Sequence, residues 1–197
     1  MTQDLQPRPE QTVTPPVEIK RIWLTGFMGT GKSRIARPLA AALDWEAVDV
    51  DALIEREAHD RIAHIFKAGG EGAFRALEGQ TIERIAGMDH VVVATGGGAV
   101  LSATNREAMR RDGFIVCLDA RAETIAGRIL DSAEHVSERP LLSGADPLAR
   151  IRELKAEREE LYRQADLIVE TDDLTPDQVT HTILVAYRER TQTPSPA

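Results

Sequence analysis

A chain of 197 residues with 42% hydrophobic residues has the length of one domain and enough apolar content for a core. Its net charge of -8 argues against nucleic acid or an anionic membrane as the main partner, because both repel an acidic surface. One cysteine excludes an internal disulfide and a cysteine-based metal cluster, and no stretch reaches the roughly 18 apolar residues of a membrane helix.

Residues 1–19 carry Pro7, Pro9, Pro15 and Pro16 among polar side chains and hold no apolar run of signal-peptide length. They read as a disordered tail, as do residues 191–197. Between them, strand-type runs at Arg21–Thr25, Glu46–Asp49, Val91–Thr95, Phe114–Asp119 and Leu167–Glu170 alternate with helical stretches. The helices are expected near Lys32–Leu43, Asp51–His59, Ile62–Lys67, Ala73–Ala86, Thr104–Arg111, Glu123–Asp131, Leu148–Ala165 and Pro176–Arg190. Pro38 should bend or locally break the first of them. Capping chemistry marks Thr104 with Glu107, Thr175 with Gln178, and Asp146-Pro147. Strands that alternate with helices predict an α/β fold with a parallel sheet covered on both faces. Ligands then bind where the strands end. Cys117, inside the apolar run from Phe114 to Leu118, is expected in a buried strand, and a lone thiol suits a reducing cytoplasm.

The first strand ends in Gly26-Phe-Met-Gly29-Thr30-Gly31-Lys32-Ser33, the spacing of a phosphate-binding loop. Glycines let successive N–H groups curl around phosphate oxygens, and the following helix presents its N-terminal dipole to the same anion. Lys32 is expected at the β- and γ-phosphates, and Ser33 at Mg²⁺. After the second strand comes Asp49-Val-Asp51. If that strand continued, both carboxylates would share a face toward the loop, one near Mg²⁺ and the other at an attacking hydroxyl. A helix N-cap followed by a first-turn acid is the alternative. The glycines 96–98 leave backbone bare for close ligand approach, or serve as a hinge.

Arg75 and Glu78 have the i, i+3 spacing of a solvated surface ion pair. Arg158 is different. It stands seven residues after Ile151 on the apolar stripe Ile151, Leu154, Leu161, so it needs a partner or a cleft, unless it snorkels from the helix edge. Arg139 lies in the weakly periodic stretch 132–146, read as a mobile lid. From there it either closes over the transferring phosphate or stays exposed. The five histidines show no metal-ligand spacing.

Taken together, the phosphate loop, Asp49-Val-Asp51, Gly70-Glu71-x-x-Phe74-Arg75-x-x-Glu78, the glycines 96–98, Arg139-Pro-Leu-Leu142 and Arg158 with Leu161-Tyr162 resemble the shikimate kinase family. The resemblance implies a three-layer P-loop kinase fold built on a five-stranded parallel sheet, with a single domain over 20–190. Within it, residues about 50–86 would form a substrate-binding region and residues 132–146 a lid. It implies that ATP phosphorylates the 3-hydroxyl of shikimate with Mg²⁺, on the route to chorismate and the aromatic amino acids. Carried over by position, Gly29, Thr30, Gly31, Lys32, Ser33, Arg34, Arg128 and Arg139 face ATP, with Arg128 as the arginine stacked on adenine. Ser33 and Asp49 serve the metal. Asp51, Arg75, Gly97, Gly98, Arg158, Phe66 and Phe74 face shikimate. Lys32, Asp51 and Arg139 are the catalytic set. Arg34 departs from the small residue that usually follows the loop serine, and the stretch between Arg128 and Arg139 is longer than usual. The expected protein is a cytoplasmic monomer working on shikimate and ATP. A gluconate-type kinase and a nucleotide-dependent switch are the rivals, and the lone asparagine, Asn105, rules out a guanine-reading Asn-Lys-x-Asp motif.

Overall fold

The computed structural model describes residues 18–131 and 146–192. Its strands are β1 (Arg21–Thr25), β2 (Glu46–Asp49), β3 (Val91–Ala94), β4 (Gly113–Asp119) and β5 (Leu167–Glu170). All pair in parallel, in the order β2-β3-β1-β4-β5. The helices are α1 (Lys32–Leu43), α2 (Val50–Ala58), α3 (Ile62–Ile85), α4 (Ala103–Arg110), α5 (Ala122–Asp131), α6 (Pro147–Tyr162) and α7 (Pro176–Gln192). No helix of the described residues is long and apolar enough to cross a membrane.

Side-chain alternation along the central strands divides the core into two layers. Trp23, Val91, Val93, Ile115 and Cys117 point to one face and pack with Phe74, Ile82, Met109, Ile125, Ile151 and Leu154. Ile22, Leu24, Val92, Phe114, Val116 and Leu118 point to the other, against Ile35 and Leu39 of α1 and Val179 and Ile183 of α7. Burial pushes the Cys117 thiol up to about 12, so it is an inert core group as expected. Arg21 holds the opposite end of the sheet. Its Nη1 donates to Met88 O at 2.6 Å and its Nη2 to Arg111 O at 2.7 Å, tying β1 to the turns that lead into β3 and β4.

Several local expectations change. Helix α1 runs unbroken through Pro38. The two helices expected over 62–86 are both present, because α3 is broken at Gly70, whose φ of 70° and ψ of -177° are not helical. Helix α4 is capped by Ser102, which accepts from Asn105 N at 3.3 Å, so Thr104 lies inside the helix. The reciprocal cap at Thr175 and Gln178 forms as expected, and Asp146 caps α6 ahead of Pro147. Ile19, which the sequence puts in the N-terminal tail, is buried in the α1/α7 layer, and α7 extends through Gln192.

Gly26 is where β1 turns into its loop, with φ at 121°. A Cβ there would lie 2.1 Å from Leu118 O, whereas at Gly31, with φ at 100°, it would meet nothing within 4 Å. Both conformations cost a side-chain-bearing residue of order 1–3 kcal/mol in backbone strain, but only Gly26 adds a backbone clash. Gly26→Ala is therefore expected to lower Tm by ~5 °C or more and by more than Gly31→Ala. Calorimetry on both variants checks the order.

Candidate active site

The phosphate loop leaves β1 with three glycines at positive φ, namely Gly26, Gly29 and Gly31. Thr30 Oγ1 closes the turn by donating to Phe27 O at 2.8 Å. Gly29 sits against Ile125 and Ile129 of α5, so the loop rests on a packed helix face. Buried Lys32 donates from Nζ to Gly26 O at 2.9 Å and Phe27 O at 2.8 Å, which stretches its ammonium along the inside of the loop.

Asp49 is the last residue of β2 and the N-cap of α2. Its Oδ1 accepts from Ala52 N at 3.1 Å, and its Oδ2 accepts from the Ser33 hydroxyl at 2.5 Å. The chain becomes helical at Val50, so Asp51 occupies the first turn of α2. The shared strand face expected for the two aspartates is corrected accordingly. Asp49 is both the cap and the partner of Ser33, and Asp51 reaches the site from a helix. Its Oδ1 is enclosed and has no hydrogen-bond partner among the described residues. Burial, then the carboxylates of Asp49 and Glu78, raise the Asp51 acid to about 6, against the pull of Lys32 and Arg75.

The Arg75–Glu78 pair is not a surface pair. Glu78 is fully buried and accepts from Arg75 Nη1 at 2.8 Å, while Glu71 accepts from Arg75 Nε at 3.2 Å and Nη2 at 3.0 Å. Burial raises the Glu78 acid too, with Arg75 opposing it, and Oε1 of Glu78 has no partner among the described residues. The Arg75 guanidinium lies 5.2 Å from the Phe74 ring centre, and Phe74 stacks on Phe66 at 5.0 Å.

The glycines after β3 bind this site together. A Cβ at Gly96 would stand 2.6 Å from Glu78 Oε1 and 3.0 Å from Asp51 Oδ1. At Gly97 it would stand 3.1 Å from Met28 N, and at Gly98 it would lie 2.3 Å from Arg75 Nη2. Arg158 closes the remaining side. It is 3% exposed on the inward stripe of α6 with Ile151, Leu154 and Tyr162, which excludes snorkelling, while Leu161 is only partly buried. Its Nη1 reaches Gly97 O at 3.3 Å, its guanidinium carbon lies 5.5 Å from the Phe27 ring centre, and its Nε is enclosed without a partner among the described residues.

Phosphate loop, Asp49, Asp51, Arg75, Gly97, Gly98 and Arg158 thus meet around the ends of β1, β2 and β3. Arg128 lies to one side on α5, donating to Thr171 Oγ1 at 3.0 Å and Thr171 O at 2.7 Å beyond β5. Arg34 is exposed and lines a cavity of about 940 Å³ along β2 with Arg37 and Arg56. Arg139 and the expected lid fall outside the described residues, apart from Asp146. Two contacts escape the sequence reading. Tyr162 donates to Gly97 O at 2.7 Å, and Lys155 donates to Asp119 Oδ1 at 2.7 Å and to Ala120 O. The signal for both was their spacing from Arg158, three before and four after, on a helix already singled out.

A family model described as shikimate kinase matches residues 28–188. The chain belongs to the shikimate kinase family. A curated shikimate kinase from Symbiobacterium thermophilum is 45% identical over 170 residues, covering 86% of this chain and 97% of that protein. One from Caldanaerobacter subterraneus is 40% identical over 169 residues, covering 86% and 96%. The solved shikimate kinase of Acinetobacter baumannii, in complex with shikimate, superposes with a TM-score of 0.83 at 32% identity, covering 90% of this chain and 97% of its own. The family is one of ATP-using kinases, and the five-stranded parallel sheet is the P-loop kinase fold expected from the sequence.

The raised pKa of Asp51 bears on stability. A carboxylate whose folded pKa of about 6 exceeds its ordinary value of 3.8 is costly to ionise in the folded state. Stability from this group is therefore greatest below about pH 4 and is lost as pH rises through about 6. The loss is at most about 3 kcal/mol. Asp51→Asn is expected to raise Tm at pH 7.5, with the gain shrinking toward pH 4. Melting curves at both pH values check this, and equal Tm at pH 7.5 would count against it.

Proposed function

We propose that this chain is a shikimate kinase that transfers the γ-phosphate of ATP to the 3-hydroxyl of shikimate, giving shikimate 3-phosphate and ADP on the route to chorismate. The observation that carries the reading is the meeting, at one run of bare glycines, of a buried arginine with a spare Nε and a carboxylate whose pKa is about 6, beside a phosphate loop. A guanidinium suits a carboxylate, and a carboxylate poised near neutrality suits a hydroxyl that must lose its proton.

In this proposal Gly29, Thr30, Gly31 and Ser33 offer backbone N–H groups to the ATP phosphates, with Arg34 at the start of the helix behind them. Lys32 leaves its loop carbonyls for the phosphoryl oxygens, where its charge stabilises the transition state. Arg139 approaches from the lid, and Arg128 is the candidate for adenine. Arg158 and Arg75 hold the substrate carboxylate, Gly97 and Gly98 present backbone groups, and Phe66 and Phe74 pack beside the ring. Asp51 accepts the proton of the 3-hydroxyl as its oxygen attacks the γ-phosphorus. The bond from that phosphorus to the bridging oxygen breaks, and ADP leaves with the electron pair.

Mg²⁺ is the cofactor we propose. Ser33 Oγ and Asp49 Oδ2, 2.5 Å apart at the mouth of the loop, are hard oxygen donors of the kind that ion takes. Among the described residues no group of three or more His, Cys, Asp or Glu is arranged to hold a metal, which suits an ion bound mainly by water and phosphate. When bound it neutralises phosphate charge. A single domain that takes in Ile19 and runs through the end of α7 at Gln192, acting as a monomer in the cytoplasm, completes the proposal.

Purified protein is expected to release ADP with shikimate and Mg²⁺, more slowly with gluconate, and hardly at all without an acceptor. Faster turnover with gluconate would sink the assignment. The rate with shikimate, as kcat/KM, should fall as pH drops through about 6, where Asp51 takes up its proton. A flat acid limb down to pH 5 would remove Asp51 from the role of base.

Arg158 supplies a sharper test of substrate binding. Removing one partner of a desolvated, hydrogen-bonded charge pair costs about 2–5 kcal/mol, roughly thirty-fold to several-thousand-fold in affinity. Arg158→Ala should weaken shikimate by that order while ATP affinity measured without shikimate stays unchanged. Arg158→Lys should recover only part, since an ammonium cannot grip a carboxylate with two parallel bonds. A shikimate KM within about threefold of wild type in Arg158→Ala would refute the clamp.

A further inference from the structure

Tyr162 has no role in the chemistry above, yet it touches the acceptor side of the site. It stands one turn beyond Arg158 on α6 and is 6% exposed. Its hydroxyl donates to Gly97 O at 2.7 Å, the same carbonyl that Arg158 Nη1 reaches at 3.3 Å. Two donors from one helix thus hold one carbonyl in the middle of the glycine run, and the shorter bond is the tyrosine's. Burial pushes the phenol well above its ordinary pKa, so it remains a donor throughout the working range.

We infer that Tyr162 is a positioning residue for the acceptor substrate, acting through the Gly97–Gly98 peptide and through Arg158. The inference rests on the shikimate kinase reading. The described chain has no cis peptide bond. In a planar trans unit the C=O of one residue and the N–H of the next point in opposite directions. Anchoring Gly97 O to α6 therefore turns Gly98 N–H away from α6. That N–H belongs to a buried residue and donates to no described residue, so it stays available to an acceptor atom. A glycine run has no side chain to hold its peptide planes, and without a fixed partner this plane would rotate at little cost.

The same bond sets Arg158. With Tyr162 holding Gly97 O at short range, the arginine makes only a long contact to that oxygen, and its Nε remains unpartnered. If the hydroxyl is removed, the carbonyl is left to the arginine alone. Arg158 is then drawn onto the peptide as its main donor, and less of its guanidinium is free for the substrate.

The test is Tyr162→Phe, which keeps the ring and its packing and deletes only the donor. One lost hydrogen bond of this kind is worth about a factor of ten in affinity. Shikimate KM is expected to rise about tenfold, with kcat falling less, while ATP affinity measured without shikimate stays within about twofold. In a double-mutant cycle with Arg158→Lys the two losses should be non-additive, since both residues share Gly97 O. An unchanged shikimate KM overturns the inference while leaving the functional reading intact. A variant that no longer unfolds cooperatively, or whose ATP affinity falls in step with shikimate, assigns the hydroxyl to the core and also overturns it. Absence of shikimate turnover in the unaltered chain overturns the functional reading and this inference with it.

Discussion

The end of β3 has room for backbone and nothing else. Gly96 faces two carboxylate oxygens, Gly97 the phosphate loop, and Gly98 the Arg75 guanidinium, each closer than a Cβ could stand without displacing its neighbour. The chain crosses the site here, between the α2/α3 side and the loop, and every functional group is placed relative to that crossing. Close backbone approach is the one property that glycine alone supplies. The parallel sheet makes the crossing possible, because β3 lies between β2 and β1. The aspartates after β2 and the loop after β1 therefore flank it on either side.

Charge follows from the same crowding. Asp49, Asp51 and Glu78 face Lys32, Arg75 and Arg158, with Lys32, Glu78 and Arg158 buried and the other three half-buried. The cations are committed unequally. Arg75 is held by Glu78 and Glu71, and Lys32 lies along loop carbonyls. Arg158 makes no ion pair among the described residues; it has a long contact to a carbonyl, the Tyr162 hydroxyl beside it and a position near the Phe27 ring. An incoming carboxylate would therefore meet its least occupied cation at Arg158. Asp51 is the mirror case on the acidic side. Its Oδ1 lacks a hydrogen-bonded partner among the described residues, and its raised pKa records the cost of burying it so.

Periodicity made the frame legible. The strand runs alternate between two apolar layers as a parallel sheet requires, and the 3.6-residue stripe of the long helix put Arg158 inside before any contact was seen. The errors share one origin, which is that spacing records an element and not what packs on it. Arg75 and Glu78 have the spacing of a surface pair, but α3 is pressed against the glycine run, so the glutamate is buried. For Asp49 and Asp51 the spacing allowed a shared strand face or an N-cap with a first-turn acid, and the second is what forms, because Asp49 caps α2 and turns the chain into a helix one residue later. At Thr104 the acidic residue three positions on pointed to a capping box, but Ser102, two residues earlier, takes the cap.

Helix α6 shows how such a site is tolerated inside a marginally stable domain. Ile151 and Leu154 fill the core at its first half, and Lys155, Arg158 and Tyr162 turn the second half polar. The carbonyls just beyond β3 and β4 have left the sheet ladder and need donors. Lys155 supplies one to Ala120 O, and Tyr162 and Arg158 supply two to Gly97 O. Burying these polar side chains is offset because they satisfy acceptors that the strand ends would otherwise strand in a dry place. The arrangement leaves one enclosed donor over, Nε of Arg158, on the helix face that looks into the cleft. Had α6 been apolar throughout, the strand-end carbonyls would lack partners. Had it carried only the tyrosine and the lysine, the strand ends would be satisfied and α6 would offer the cleft no guanidinium. The arginine therefore belongs to the fold and to the site at once, and its value to the site lies in the part of it that the fold does not use.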